Sequence, residues 1–228
     1  MKHYPVIVVD NFYQNPNDVR DFALKQEYKS FYELEPTPKE YTFPGSRTED
    51  LAKINPSLYA SFFEKASSLY HNFRYDEVKF KLSSNFQYVT KEFGKGVIHQ
   101  DNKVIFAGVI YLTPDPKKNS GTSLFTKNHK FNQQRYNSCV ESNNAKFRKG
   151  SFIPDTSYHE MFDEIVKVNN QFNTLIMYEG DIFHCANEFF GEKLDNSRLA
   201  QVFFVQEISG KDKTVFPVIR NNILKEKI

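Results

Sequence analysis

Along residues 78–88 apolar and polar side chains alternate. Val78, Phe80, Leu82, Phe86 and Tyr88 fall on one side, and Lys79, Lys81, Ser83, Asn85 and Gln87 on the other. A period of two predicts an extended strand with one dry face. Upstream the period is helical. Asn15-Pro16 and Asn55-Pro56 each set a capping side chain before a proline, which fits the first turn because its missing N–H is not needed there. Val19, Phe22 and Ala23 supply the buried stripe of the first helix. Leu58, Tyr59, Phe62, Phe63, Ala66, Leu69 and Tyr70 supply that of the second. A short strand, Val6 to Val9, precedes them, and Phe43-Pro44-Gly45-Ser46-Arg47 reads as a turn between them. Further strands are predicted over Val104 to Leu112, Gly121 to Phe125, Phe172 to Tyr178 and Leu199 to Ile208. Breaks fall at Pro114-Asp115-Pro116, Glu179-Gly180-Asp181 and Asp195-Asn196-Ser197. Helices followed by several short strands predict a β sandwich or barrel with helices packed on one side.

Thr126 to about Thr156 breaks this pattern. The segment is polar and Asn-rich, and Lys127, Lys130, Arg135, Lys146, Arg148 and Lys149 face only Glu141 between Thr126 and Gly150. It reads as a solvated loop, or as a lid over the barrel mouth that attracts an acidic substrate. The tail, Lys211 to Ile228, reads as a strand and helix packed on the same domain or on a partner.

Composition adds three constraints. The 23 Phe and 13 Tyr favour pleated, half-buried surfaces and so a β-rich core. With 30 basic and 28 acidic side chains the net charge is +2, which argues against a nucleic-acid partner, since phosphate binding needs a clear basic excess. Cys139 and Cys185 make neither a disulfide framework nor a zinc motif, and the N-terminal apolar run is too short for a signal sequence or a membrane span. The chain reads as cytoplasmic and reduced, with no membrane partner.

The candidate chemistry starts at His99-Gln100-Asp101. On an extended segment residues i and i+2 point the same way, so an imidazole and a carboxylate can meet one metal. The triplet alone is weak, and its context strengthens it. His184 follows at the end of another predicted strand pair. Two histidines and one carboxylate leave three metal positions open, which suits iron(II) oxygenases. Arg198 then begins the apolar strand Leu199 to Val205. An arginine at the mouth of a dry barrel is expensive unless it meets an anion, and its planar fork suits a carboxylate.

The order His-x-Asp, a distant His, then an Arg on the following strand resembles the iron(II)/2-oxoglutarate-dependent oxygenases, and within them the prolyl-hydroxylase-like branch. Phe106-Ala107-Gly108-Val109-Ile110-Tyr111-Leu112-Thr113 resembles that branch's strand ending in Tyr-Leu-Asn. Ser120-Gly121-Thr122-Ser123-Leu124 resembles its Gly-Gly-x-Leu turn, and Asn85-Phe86-Gln87-Tyr88 the strand leading to the first ligands. The resemblance implies a double-stranded β-helix, or jelly roll, in a single domain over 1–228. Residues 1–75 would be helical support, 76–208 the core with a 126–156 insertion, and 209–228 a C-terminal extension. It implies Fe(II) on His99, Asp101 and His184. It also implies 2-oxoglutarate as co-substrate with O2, its far carboxylate on Arg198 and Tyr111, and release of succinate and CO2. Hydroxylation of a small molecule, an amino acid or a peptide side chain is the implied reaction. A carboxylate at Asp101 favours it over halogenation, where a small residue makes room for chloride.

The sequence departs from the family at two places. The interval from His184 to Arg198 is longer than usual, so Asn187 to Ser197 is expected to form an enlarged turn. The tyrosine that usually precedes the first ligand has no direct counterpart, and Gln87 and Tyr88 are the candidates to replace it. Two competing functions share the ligands: a non-catalytic jelly-roll protein that binds metal or sugar, and a cupin-type hydrolase with metal-activated water. His3, His71, His129 and His159 read as surface or helix-end residues, and Arg47 as part of a plain turn.

Overall fold

The computed structural model describes residues 6–33, 43–69, 78–101, 103–148 and 153–210. Strand β1 (Val6–Val9) leads to helix α1 (Pro16–Leu24) and two short strands, β2 (Lys29–Ser30) and β3 (Ser46–Arg47). Helices α2 (Leu51–Ile54) and α3 (Pro56–Ser68) follow. The Asn55 side chain caps α3 as expected, accepting from Leu58 N–H at 3.0 Å, whereas Asn15 makes no side-chain cap. Beyond these lie β4 (Val78–Val89), β5 (Phe106–Tyr111), β6 (Thr122–Lys127), helix α4 (Gln133–Arg148), β7 (Phe162–Val168), β8 (Leu175–Glu179), β9 (Phe183–Ala186) and β10 (Arg198–Gly210). No described helix is long and apolar enough to cross a membrane.

Two antiparallel sheets face each other. The larger has the strand order β1-β8-β5-β10-β4-β3-β2, and the smaller β7-β6-β9. His99 bridges to His184 and so extends the smaller sheet past β9. This is the jelly-roll pairing, with β4, β5, β8 and β10 in one wall and β6, β7, β9 and the His99 segment in the other.

The large sheet is buried on both faces, so β5 reads as an unbroken apolar run with every residue buried. Phe106 and Ile110 pack toward α1 and α3 with Phe86, Met177, Leu199, Phe203 and Phe62. Ala107, Val109 and Tyr111 pack between the sheets with Ile176, Tyr178, Ala200, Val202 and Leu124. Gly108 allows this packing: a Cβ there would lie 2.1 Å from the Phe203 ring of the neighbouring strand.

Strand β4 inverts the reading of its dry face. Phe86, Leu82 and Tyr88 do pack on the helices. The polar side of the strand meets solvent at Lys81, but Gln87 near its other end is buried. Register pairs Gln87 with Ala200 and Asn85 with Val202, which are inward-facing positions. The Asn85–Gln87 end of the polar side therefore faces the space between the sheets.

Two local expectations are corrected. Ser46 and Arg47 form a strand, because their backbone pairs with Tyr88 and Gln87. Asn-rich residues 133–148 form α4, whose buried positions are few and widely spaced, which hid the helix from a periodicity reading. Tyr136 and Cys139 of α4 pack with Ile98, Tyr158, Phe162, Phe183 and Cys185, the side of the smaller sheet that faces away from the interior. The first half of the helix thus backs that sheet, while Phe147 near its end packs with Phe31, Phe43, Phe93 and Phe189. Of the C-terminal extension, residues 211–228 lie outside the described residues, as do His3 and His71.

Candidate metal centre

Asp101 N–H donates to Gly180 O at 2.8 Å, and His99 and His184 exchange backbone hydrogen bonds of 3.0 and 2.9 Å. These three bonds fix the spacing of the candidate ligands. The nearest ligand atoms of His99, Asp101 and His184 all lie within 4.8 Å of one another. His99 Nε2 is 3.7 Å from one Asp101 oxygen, and His184 Nε2 is 3.3 Å from the other. Donors about 2.1 Å from a metal and roughly at right angles lie ~3 Å apart, so the set is one short adjustment from closing on an ion.

The tautomers follow from the backbone. His99 Nδ1 lies 2.8 Å from Val97 O, and His184 Nδ1 lies 2.8 Å from Ile182 O. A carbonyl only accepts, so each Nδ1 carries a proton and Nε2 is the nitrogen turned toward Asp101 and the candidate metal position. This outer hydrogen bond is the one metal-ligating histidines make. Burial and the neighbouring His184 lower the proton affinity of His99. Burial pushes the Asp101 carboxyl up, but His184, His99 and Arg47 outweigh it and hold the pKa at about 2. An ionised carboxylate beside two imidazoles that turn Nε2 inward is a donor set a metal can take up, displacing any Nε2 proton as it binds.

The second half of the site lies on the same inner face. Arg198 is 5% exposed; its Nε–H donates to Ser120 O at 3.1 Å and an Nη–H to Thr122 Oγ1 at 3.4 Å. The guanidinium lies 5.4 Å from the Tyr111 ring centroid, and Tyr111 donates its hydroxyl to Thr122 at 2.8 Å. Burial raises the Tyr111 phenol, keeping it protonated as a donor. Among the described residues no carboxylate lies within ion-pair distance of Arg198.

The enlarged turn has its own fasteners. Asn196 accepts from the N–H groups of Glu192 and Lys193, each at 2.9 Å. Lys117 and Lys91 pair with Glu188 and Glu192.

The structure thus brings together His99, Asp101, His184, Arg198 and Tyr111. Gln87 shares their face, but its amide donates to Pro44 O at 2.7 Å and braces the segment before β3. Tyr88 is not in the site: its ring packs edge-on against Tyr28 at 5.1 Å, on the helix side. The alternation along β4 already separated the two residues, because neighbours on a strand face opposite ways.

Sequence reasoning missed several residues. Thr122, inside the quoted glycine turn, joins Tyr111 to Arg198. Tyr178 places its ring 4.5 Å from that of His184. Tyr158 and His159 hold the backbone of Ile98 beside the first ligand.

The sequence profile of a family of unknown function, DUF6445, matches residues 1–197. The chain belongs to that family. No curated protein matches this DUF6445 chain in sequence. Solved structures do match its fold. HygX from Streptomyces hygroscopicus, with nickel and 2-oxoglutarate bound, is 12% identical, with a TM-score of 0.55 over 89% of this chain and 82% of that one. SnoK, a non-haem α-ketoglutarate-dependent carbocyclase from nogalamycin biosynthesis, is 10% identical, with a TM-score of 0.53 over 98% and 86%. The DUF6445 chain therefore has the jelly-roll fold of the 2-oxoglutarate oxygenases.

Proposed function

We propose that this chain is an Fe(II)- and 2-oxoglutarate-dependent dioxygenase that hydroxylates a small molecule, an amino acid or a peptide side chain. One observation carries the reading: the His99–Asp101–His184 set and buried Arg198 lie in one compartment between the sheets. The donor set fits iron(II), since two neutral imidazoles and one carboxylate leave three positions for other ligands. A buried guanidinium is stable only with an anion or dense hydrogen bonding. Here Ser120 O and Thr122 take part of its fork. HygX binds nickel and 2-oxoglutarate in the same fold.

When bound, the iron would couple O2 to oxidative decarboxylation of the keto acid, one oxygen atom entering succinate as CO2 leaves and the other being inserted into a substrate C–H bond to give the alcohol. His99, Asp101 and His184 hold the metal. Arg198 takes the far carboxylate of the keto acid, and the Tyr111 and Thr122 hydroxyls add donors. Val109, Ile176, Val202 and Leu124 line the compartment with apolar surface and keep bulk water from the chelated end.

The test is anaerobic titration of Fe(II) and 2-oxoglutarate into the metal-free protein, following the weak visible charge-transfer band of a chelated keto acid. The band is expected in the wild type, absent in His99→Ala and weakened in Arg198→Ala. Metal binding without a band would overturn the proposal in favour of a non-catalytic binder or a cupin-type hydrolase.

A further inference from the structure

We infer that Tyr178 is a co-substrate-binding residue of this site, its hydroxyl donating to the 2-oxo acid that the triad and Arg198 hold between them. The inference rests on the oxygenase reading above.

Position comes first. Tyr178 lies on β8 directly opposite Ala107 of β5, and both belong to the apolar cluster between the sheets. The phenol therefore leaves the large sheet on its inner face. Its ring lies against the imidazole of His184, with centroids 4.5 Å apart and planes tilted by 48°. Two residues further along the chain, Gly180 O accepts from the Asp101 N–H at 2.8 Å. Tyr178 thus touches one candidate ligand directly, and its strand runs on into the hydrogen bond that holds another. The opposite wall sets the span open to a bound acid. His184 pairs with Leu124, and Thr122, which meets both Arg198 and Tyr111, stands two residues away on the same face. Two residues of a strand rise about 7 Å, the length of a five-carbon diacid. Tyr178 flanks the metal end of that span from the large-sheet side.

Chemistry sets the role. The other buried tyrosines pair their hydroxyls within the fold, Tyr111 with Thr122 at 2.8 Å and Tyr158 with Ile98 O at 2.9 Å. Tyr178 is only 4% exposed, yet among the described residues its hydroxyl has no hydrogen-bond partner. A buried hydroxyl without a partner costs stability. For packing against His184 alone, phenylalanine would serve better. The cost is recovered when a ligand brings an acceptor. The triad is arranged for a metal and Arg198 for an anion, so the acid that fills the compartment presents carboxylate and keto oxygens, which only accept. The Tyr178 hydroxyl is the donor that meets them. Gln87 and Tyr88 do not compete for this role, because Gln87 donates to Pro44 O and Tyr88 packs on the helix side.

The test compares the full wild-type chain with Tyr178→Phe, which keeps the ring on His184 and removes only the hydroxyl. Three readouts are taken without substrate. In anaerobic titrations of the Fe(II)-loaded protein, the 2-oxoglutarate concentration for half-saturation of the charge-transfer band should rise roughly tenfold in the variant, the size of one hydrogen bond to a charged acceptor. Ni(II) affinity, measured by calorimetry without keto acid, should stay within about twofold, because the substitution keeps the volume packed on His184. The Tm of the metal-free protein should hold or rise, because a hydroxyl without a partner has left the interior. Unchanged 2-oxoglutarate affinity in the variant would overturn the inference. So would a fall in Tm, which would give the hydroxyl a partner within the fold, and so would a tenfold loss of Ni(II) affinity, which would make ring placement the cause. The wild-type band separates the two readings. A wild-type band with equal affinities in the two proteins sinks the Tyr178 assignment alone, and no band in wild type sinks the oxygenase reading and the assignment with it.

Discussion

Ile98 precedes the first candidate ligand on the open edge of the smaller sheet, and side chains take the place of the next strand there. Tyr158, fully buried, donates its hydroxyl to Ile98 O at 2.9 Å. His159 Nε2 accepts from Ile98 N–H at 3.2 Å. Ile98 is 1% exposed, so water cannot substitute readily. Tyr158→Phe should therefore cost about 1–3 kcal/mol, the penalty for a buried carbonyl left without a donor. For a chain of this size that lowers Tm by roughly 2–12 °C. Because Ile98 adjoins His99, Ni(II) affinity should also fall, by about tenfold, at the mild end of the range for supporting hydrogen bonds around metal ligands.

The same brace is pH-sensitive. Burial, with Lys95 adding to it, lowers the His159 pKa from 6.5 to about 4, against a smaller opposing effect of Asp155. The folded state holds the imidazole neutral. Its stabilisation is complete above the unfolded value near 6.5 and is lost as pH falls through about 4. The full shift corresponds to about 3 kcal/mol, and partial solvent access reduces it to roughly 1–2 kcal/mol. Urea denaturation of the metal-free protein across that window measures the loss, and His159→Gln, which keeps an acceptor but does not titrate there, should flatten it. A Tyr158→Phe protein that melts with the wild type, or a His159→Gln profile as steep as the wild type's, would refute the reasoning.

Three further outcomes are expected. Arg198→Lys should raise the 2-oxoglutarate concentration for half-saturation of the charge-transfer band by roughly tenfold, and Arg198→Ala by more, because both lose the fork; equal affinities would make Arg198 structural. Gly180→Ala should destabilise the protein and weaken Ni(II) binding in calorimetry. Its Cβ would lie 2.2 Å from Val104 O and push on the strand end that holds Asp101. Tyr88→Phe should leave 2-oxoglutarate affinity within about twofold by the same band titration, since the residue faces the helices rather than the site.

The sequence by itself determined the ligand spacing, the apolar strands and the helix starts, because these are written in local periods of two and 3.6 and in the side chains around Pro16 and Pro56. It also supplied the order of ligands and arginine, since the His-x-Asp triplet, the later histidine and the arginine opening an apolar strand can be read in line along the chain. Only tertiary structure decided which way a polar strand face looks: Gln87 is as polar as a solvent-facing residue and yet turns inward, because a second sheet lies over it. Tertiary structure also separated Tyr88 from the site, turned an Asn-rich stretch into α4, and made Ser46 and Arg47 a strand rather than a turn. Those outcomes depend on register between β3, β4 and β10, whose residues lie far apart in the chain, and no local pattern encodes a pairing between them.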